Sequence, residues 1–156
     1  MDLITVIVPC FNEEASLPYF FRAYEQLKST MRMVSFELLF IDDGSKDGTL
    51  SVIKELAANH EEIKYISFSR NFGKEAAMYA GLQHAQGDYV VFMDADLQDP
   101  PSLLPDMYKA VAEDGYDSAA TRRVTRAGEP PIRSFFARIF YRLMNRISHT
   151  ELVDGA

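Results

Sequence analysis

Three carboxylates, Asp94, Asp96 and Asp99, follow the apolar run Val90-Val91-Phe92-Met93, with Gln98 between the last two. Side chains alternate on extended backbone, so Asp94 and Asp96 are expected on one face, with Gln98 next along it as a neutral oxygen donor. An oxygen-only set of this kind suits Mg²⁺ or Mn²⁺ completed by substrate phosphates and water, whereas zinc would want His or Cys. The competing reading is a helix N-cap cluster ahead of Pro100-Pro101. Stacked carboxylates repel one another, which favours a cation that could also bind a diphosphate.

Three further segments end in the same way. Pro9-Cys10-Phe11-Asn12-Glu13-Glu14 follows one apolar run, Asp42-Asp43-Gly44-Ser45 a second, and Ser69-Arg70-Asn71-Phe72-Gly73-Lys74 a third. In an open α/β sheet ligands bind beyond the carboxyl ends of the strands, so acids, a flexible glycine and one lysine are expected on a single rim. The Asp42–Asp43 segment reads either as turn chemistry with a helix cap or as an acceptor for a base N–H or ribose hydroxyl. Glu13 reads either as a first-turn helix acid or as a ribose contact. No Gly-x₄-Gly-Lys-Ser/Thr loop is present, and no Gly-x-Gly-x-x-Gly follows the first apolar run, which removes the main warrant for a P-loop ATPase or a dinucleotide dehydrogenase. His60, His84 and His149 have no metal-ligand spacing and read as surface residues.

The elements that must position these groups are legible as periodicity. Nearly continuous apolar runs at 3–8, 36–41, 63–67 and 89–93 suit strands of a parallel sheet covered on both faces. Between them Leu17, Phe20, Phe21, Tyr24, Leu27 and Met31 keep a helical period, as do Leu50, Ile53, Leu56 and Ala57. Helices are also expected over 74–84, before Gly87, and over 101–113, with Pro101 in the first turn and Gly115 past the end. A short fifth strand is expected over 117–121 and a loop over 122–131, around Gly128 and Pro130-Pro131. The alternation predicts right-handed βαβ units: an α/β fold, Rossmann-like, with helices on both faces of a mostly parallel sheet.

The 156 residues fit one domain, and 47% hydrophobic with 25% charged side chains is ordinary for a soluble globular chain. The net charge of −7 is unevenly spread: residues 1–121 carry 9 basic and 20 acidic side chains, and residues 122–156 carry 7 arginines against three acids. Cys10 is alone, so no intrachain disulfide is expected. No stretch approaches the ~20 apolar residues of a membrane span, and the first residues lack the basic start of a signal peptide.

Over residues 132–147, Ile132, Phe135, Phe136, Ile139, Phe140, Leu143, Met144 and Ile147 form one helical stripe, with Arg133, Arg138, Arg142 and Arg146 off it. Such a helix either packs on a core behind a solvated arginine face or lies in a membrane interface near anionic headgroups. Because no acid interrupts it, the interfacial reading is favoured. Arg122, Arg123 and Arg126, after the expected fifth strand, could clamp a phosphate or form a plain surface loop.

Taken together, the segments Val6-Ile7-Val8-Pro9-Cys10-Phe11-Asn12-Glu13-Glu14, Phe40-Ile41-Asp42-Asp43-Gly44-Ser45, Ser69-Arg70-Asn71-Phe72-Gly73-Lys74 and Met93-Asp94-Ala95-Asp96-Leu97-Gln98-Asp99-Pro100 resemble family-2 glycosyltransferases of the GT-A fold. Within them the likeness is to the polyprenyl-phosphate glycosyltransferases, including dolichol-phosphate mannose synthase, and it covers essentially the whole chain.

The resemblance implies that Pro9, Glu13 and Asp42 hold the nucleoside, with Phe11, Lys74, Asp94 and Ala95 also on the nucleotide. It implies that Asp94, Asp96 and Gln98 hold Mg²⁺ or Mn²⁺ with the diphosphate, and that Arg122, Arg126 and Arg133 grip the acceptor's phosphate. Asp96 and Arg122 then carry the catalysis. A GT-A core over 1–121 is expected to be followed by an acceptor-side arginine loop and interface helix over 122–156. The implied reaction moves a sugar, with inversion, from a nucleoside diphosphate to a polyprenyl phosphate. A UDP-sugar is the favoured donor and GDP-mannose the alternative.

An anionic acceptor needs no general base, whereas a saccharide acceptor would need one, and only Glu151 and Asp154 remain late in the chain. A catalytically silent nucleotide-binding fragment is the third reading, since related sequences continue where this one stops at Val153-Asp154-Gly155-Ala156. The expected location is the cytoplasmic face of a membrane, with residues 132–147 on its surface. Nucleic acid is not an expected partner; a homo-oligomer is compatible with the reading.

Overall fold

A computed structural model describes residues 1–121; the arginine loop and helix expected over 122–156 lie outside the described residues. The chain divides into two compact units, Met1–Ser102 and Leu103–Ala156, and the sheet lies in the first.

In that unit the elements run β1 (Leu3–Cys10), α1 (Leu17–Thr30), β2 (Ser35–Asp42), α2 (Thr49–Asn59), β3 (Ile63–Ser67), α3 (Lys74–His84) and β4 (Tyr89–Phe92). The strands form one parallel sheet in the order β3-β2-β1-β4, the alternating α/β architecture expected of the sequence. Strand 1 pairs with β2 from Leu3↔Ser35 to Cys10↔Asp42. That continuous ladder carries β1 two residues beyond the expected 3–8.

The pleat sorts side chains between two helical layers. Ile7, Leu39 and Ile41 face α3, where they pack against Ala77 with Ile66, Phe68 and Ala85 around them. The helix approaches closely because position 81 is glycine: a Cβ there would come within 2.4 Å of Ile7 Cγ2. On the opposite face Phe20 of α1 meets Phe40 edge-on at 6.1 Å and Tyr24 meets Phe36 at 6.0 Å. Of the α1 stripe predicted from its period, Leu17, Phe20, Tyr24 and Leu27 are buried, whereas Phe21 and the C-cap Met31 are only partly so. Each such fully buried large side chain contributes about 1.5–3 kcal/mol.

Burial on both faces holds for the central pair, whereas on β4 Val90 and Phe92 are 39% and 38% exposed. Away from the carboxyl rim, the buried Glu37 carboxylate accepts hydrogen bonds from Thr5 Oγ1 at 2.7 Å, Lys64 Nζ at 2.7 Å and the Gln86 N–H at 3.1 Å. Burial pushes this carboxyl up, but those donors outweigh it and hold it below the ordinary range.

A 3₁₀ turn over Pro101–Leu103 precedes α4 (Leu104–Ala112), which lies in the second unit, so the helix expected over 101–113 begins as a tighter turn. No strand forms over 117–121 among the described residues. The run Asp-Ser-Ala-Ala-Thr has little β-branched or aromatic bulk, and a strand of such residues depends on a neighbour to pair with.

Candidate functional site

The four strand ends do converge, on a cavity of about 450 Å³ within the first unit. Strand 1 delivers Pro9 and Cys10, and the loop after it Phe11 and Glu13; Asp43 follows β2. The approach to α3 brings Asn71, Gly73 and Lys74, with Ala77 one turn in, and the chain beyond β4 brings Asp94, Ala95 and Asp96. Of the residues expected on the nucleotide, all but Asp42 line this cavity.

The rim is laced before any ligand enters. The Asn12 N–H donates to Ser45 Oγ at 3.0 Å, and Asn12 Oδ1 accepts the Lys46 N–H at 2.8 Å. The Glu13 N–H donates to Thr49 Oγ1 at 2.8 Å, and Glu14 Oε2 accepts the Gly48 N–H at 2.8 Å. These bonds tie the loop after β1 to the loop after β2. Glu13 stands ahead of α1 and not in its first turn, so it is not the first-turn helix acid of one reading; its carbonyl accepts the Ser16 and Leu17 N–H groups of the turn that leads into the helix.

The two adjacent aspartates after β2 have different tasks. Asp42 is 1% exposed; its Oδ1 accepts the Ser45 N–H at 3.1 Å and its Oδ2 the Ser67 hydroxyl at 2.9 Å. It therefore caps a turn from the far side of the pleat. Asp43, 3% exposed, accepts the Phe72 N–H at 2.7 Å and the Gly73 N–H at 2.9 Å, clamping the segment that carries Asn71 and Lys74 to the cavity. Gly44, at φ +69°, lets this segment lie close, since a Cβ would stand 2.4 Å from the Arg70 carbonyl carbon. Gly73, at φ +100°, then opens α3.

The backbone under the acidic pair differs from expectation. Strand 4 ends at Phe92, and residues 94–97 turn, with the Leu97 N–H on the Asp94 carbonyl at 3.3 Å and Leu97 at φ 57°. Asp94 and Asp96 thus reach one cavity through a turn, not through the alternation of an extended strand. Lys74 Nζ binds both oxygens of Asp94, at 2.6 and 2.8 Å. Asp96 Oδ1 accepts the Gln98 N–H at 3.1 Å, and Gln98 does not line the cavity.

Electrostatically the lining is anionic: Glu13, Asp43, Asp94 and Asp96 against the single ammonium of Lys74 among the described lining residues. Such a site repels a diphosphate unless a cation joins it. No three His, Cys, Asp or Glu side chains gather as a metal shell among the described residues. The donor set therefore fits a hard cation whose remaining ligands are phosphate and water, and does not fit a closed protein cage.

Cys10, 1% exposed, donates its thiol to the Val8 carbonyl. Burial, then the negative charges of Glu13 and Asp42, push the thiol far above its ordinary range, so it is wall and not nucleophile. Asn71, Gly73, Cys10 and Asp43 are lining residues that sequence reasoning did not single out for roles; all four stood inside quoted segments, and only the fold shows the clamp. Arg122, Arg126 and Arg133 lie outside the described residues.

Comparison with known proteins agrees with this geometry. The model of the glycosyl transferase family 2 matches residues 5–154. A putative glycosyltransferase, CsbB of Bacillus subtilis, is 43% identical over 155 residues, covering 98% of this chain and 46% of that protein. The prophage bactoprenol glucosyl transferase homolog of Escherichia coli is 40% identical over 155 residues, covering 97% of this chain and 49% of that protein. The chain thus spans about half the length of these relatives.

Among solved structures, the mannosyltransferase PcManGT of Pyrobaculum calidifontis, in complex with GDP-Man and Mn²⁺, is similar with a TM-score of 0.60 at 28% identity, over 70% of this chain and 32% of that one. The UDP complex of glucosyl-3-phosphoglycerate synthase from Mycobacterium tuberculosis is similar with a TM-score of 0.53 at 26% identity, over 72% of this chain and 40% of that one. Sheet order, rim chemistry and family match agree: the chain belongs to glycosyl transferase family 2.

Proposed function

We propose that this chain is the donor-binding core of an inverting glycosyltransferase that moves a sugar from a nucleoside diphosphate to a polyprenyl phosphate. The observation that carries the proposal is the cavity itself, where Glu13, Asp94, Asp96 and Lys74 meet at the carboxyl ends of a parallel sheet. Relatives named bactoprenol glucosyl transferase support the acceptor. Similar structures in complex with GDP-Man and Mn²⁺ and with UDP support the donor class and the metal.

In this reading Pro9, Phe11, Glu13 and Ala95 receive the nucleoside, and Asp42 holds the turn beneath it. Asp94 and Asp96, the two of the expected metal ligands that line the cavity, would hold Mg²⁺ or Mn²⁺, whose chemistry there is to neutralise charge on the departing diphosphate. Lys74 binds a phosphate oxygen. A UDP-sugar is the favoured donor. The acceptor's phosphate is already anionic near pH 7, so Arg122, Arg126 and Arg133 need only orient it for attack on the anomeric carbon from the face opposite the diphosphate. Residues 132–147 set this machinery on the cytoplasmic surface of a membrane.

The test is transfer of radiolabelled sugar from UDP-glucose and GDP-mannose to undecaprenyl phosphate in detergent with Mg²⁺ or Mn²⁺. Label in the lipid fraction, lost in Asp96→Ala, is the expected result. Label on soluble glycans alone would replace the acceptor, and donor binding without transfer or hydrolysis would make the chain a silent nucleotide-binding module.

A further inference from the structure

The bidentate pair between Lys74 and Asp94 has a consequence for the order in which ligands bind. Both oxygens of the Asp94 carboxylate are covered by one ammonium, at 2.6 and 2.8 Å, so a divalent ion approaching Asp94 meets a positive charge already seated. Lys74 opens α3, an end of a helix where a cation is disfavoured by the axial dipole, so its place is not explained by helix stability. Its side chain is 54% exposed, on a flexible stem with three rotatable donors, and is free to leave Asp94 when a better anion arrives. The clamp of Asp43 on the Phe72 and Gly73 N–H groups fixes the point from which that stem swings.

We infer that Lys74 is a tethered counter-cation that makes divalent metal binding at Asp94 conditional on the donor's diphosphate. Without nucleotide, the ammonium satisfies Asp94 and competes with metal. With a diphosphate in the cavity, Lys74 moves to a phosphate oxygen, Asp94 is released to the metal, and the charges are matched in one step. The two ligands then bind with positive coupling, and by linkage each strengthens the other by the same factor. This rests on the donor reading given above.

The test is Mn²⁺ titration followed by the electron paramagnetic resonance of free Mn²⁺, with and without UDP, for the wild type, Lys74→Met and Lys74→Gln, with thermal melts to establish that each is folded. An exposed ion pair of this kind is worth a factor of about two to five in competition. Both variants should therefore bind Mn²⁺ about two- to fivefold more tightly than wild type without UDP, and the gain in Mn²⁺ affinity that UDP gives the wild type should shrink in them by the same two- to fivefold factor. Equal or weaker Mn²⁺ binding by folded variants, with UDP-enhanced binding intact in the wild type, overturns the role of Lys74 alone. If the wild type shows no UDP-dependent Mn²⁺ binding, the donor reading falls and this inference with it.

Discussion

Replacing Asp43 with asparagine isolates the clamp that shapes the cavity. The carboxylate is 3% exposed and receives two backbone N–H groups, at 2.7 and 2.9 Å, from a segment about thirty residues away. Asparagine keeps the volume and one acceptor, but its amide sets a donor against the second N–H. The lost charge-assisted bond and the stranded N–H together cost about 1.5–3 kcal/mol. For a chain of this size, at about 2–4 °C per kcal/mol, that lowers Tm by roughly 3–12 °C.

Asn71 and Lys74 ride on the clamped segment, so donor binding should weaken along with stability, by more than it does in a control that destabilises equally from the far side of the sheet. Phe20→Leu, in the α1 layer, is such a control. Urea unfolding gives the first number and UDP titration by calorimetry the second. An Asp43→Asn protein within about 0.5 kcal/mol of wild type, with unchanged UDP affinity, would refute the clamp.

Gly44→Ala should cost more than about 2 kcal/mol in urea unfolding, because the residue is left-handed at φ +69° and its Cβ would meet backbone at 2.4 Å, which cannot rotate away. Gly115→Ala is its counterpart: φ is +79° but nothing lies within 4 Å of the added carbon, so only about 1–2 kcal/mol is expected. For Glu37, the folded carboxyl titrates below its unfolded value, so its contribution is present above the ordinary carboxylate range and is lost as pH falls through the folded pKa. Glu37→Gln should lower stability at pH 7 and flatten the acid limb of a stability-versus-pH curve; an acid limb as steep as the wild type's would contradict that network.

Much of this fold is written in local pattern. The helical stripe of α1 and the strand at 63–67 need only periodicity and apolar runs, and the rim rule predicts that four strand ends share a ligand. What local pattern cannot carry is the partner across thirty residues. Asp42 and Asp43 are neighbours of the same type, yet the pleat sends one to Ser45 and Ser67 behind the sheet and the other to the Phe72 and Gly73 N–H groups at the cavity. The Asp94–Asp96 pair was legible as one site for a wrong local reason: a turn with Leu97 at φ 57° replaces the extended backbone. At 117–121 the residues lack the bulk to make a strand without a neighbour, and periodicity alone does not reveal whether one is supplied.

The central claim is that Asp94 and Asp96 unite a divalent cation and a nucleoside diphosphate in one cavity. Calorimetric titration of UDP in the presence and absence of Mn²⁺, on wild type and Asp96→Ala, tests it most directly. The account predicts that Mn²⁺ tightens UDP binding at least tenfold, about 1.4 kcal/mol, and that Asp96→Ala removes this gain while the protein stays folded. UDP binding that is indifferent to Mn²⁺, or a gain that survives in Asp96→Ala, would contradict it.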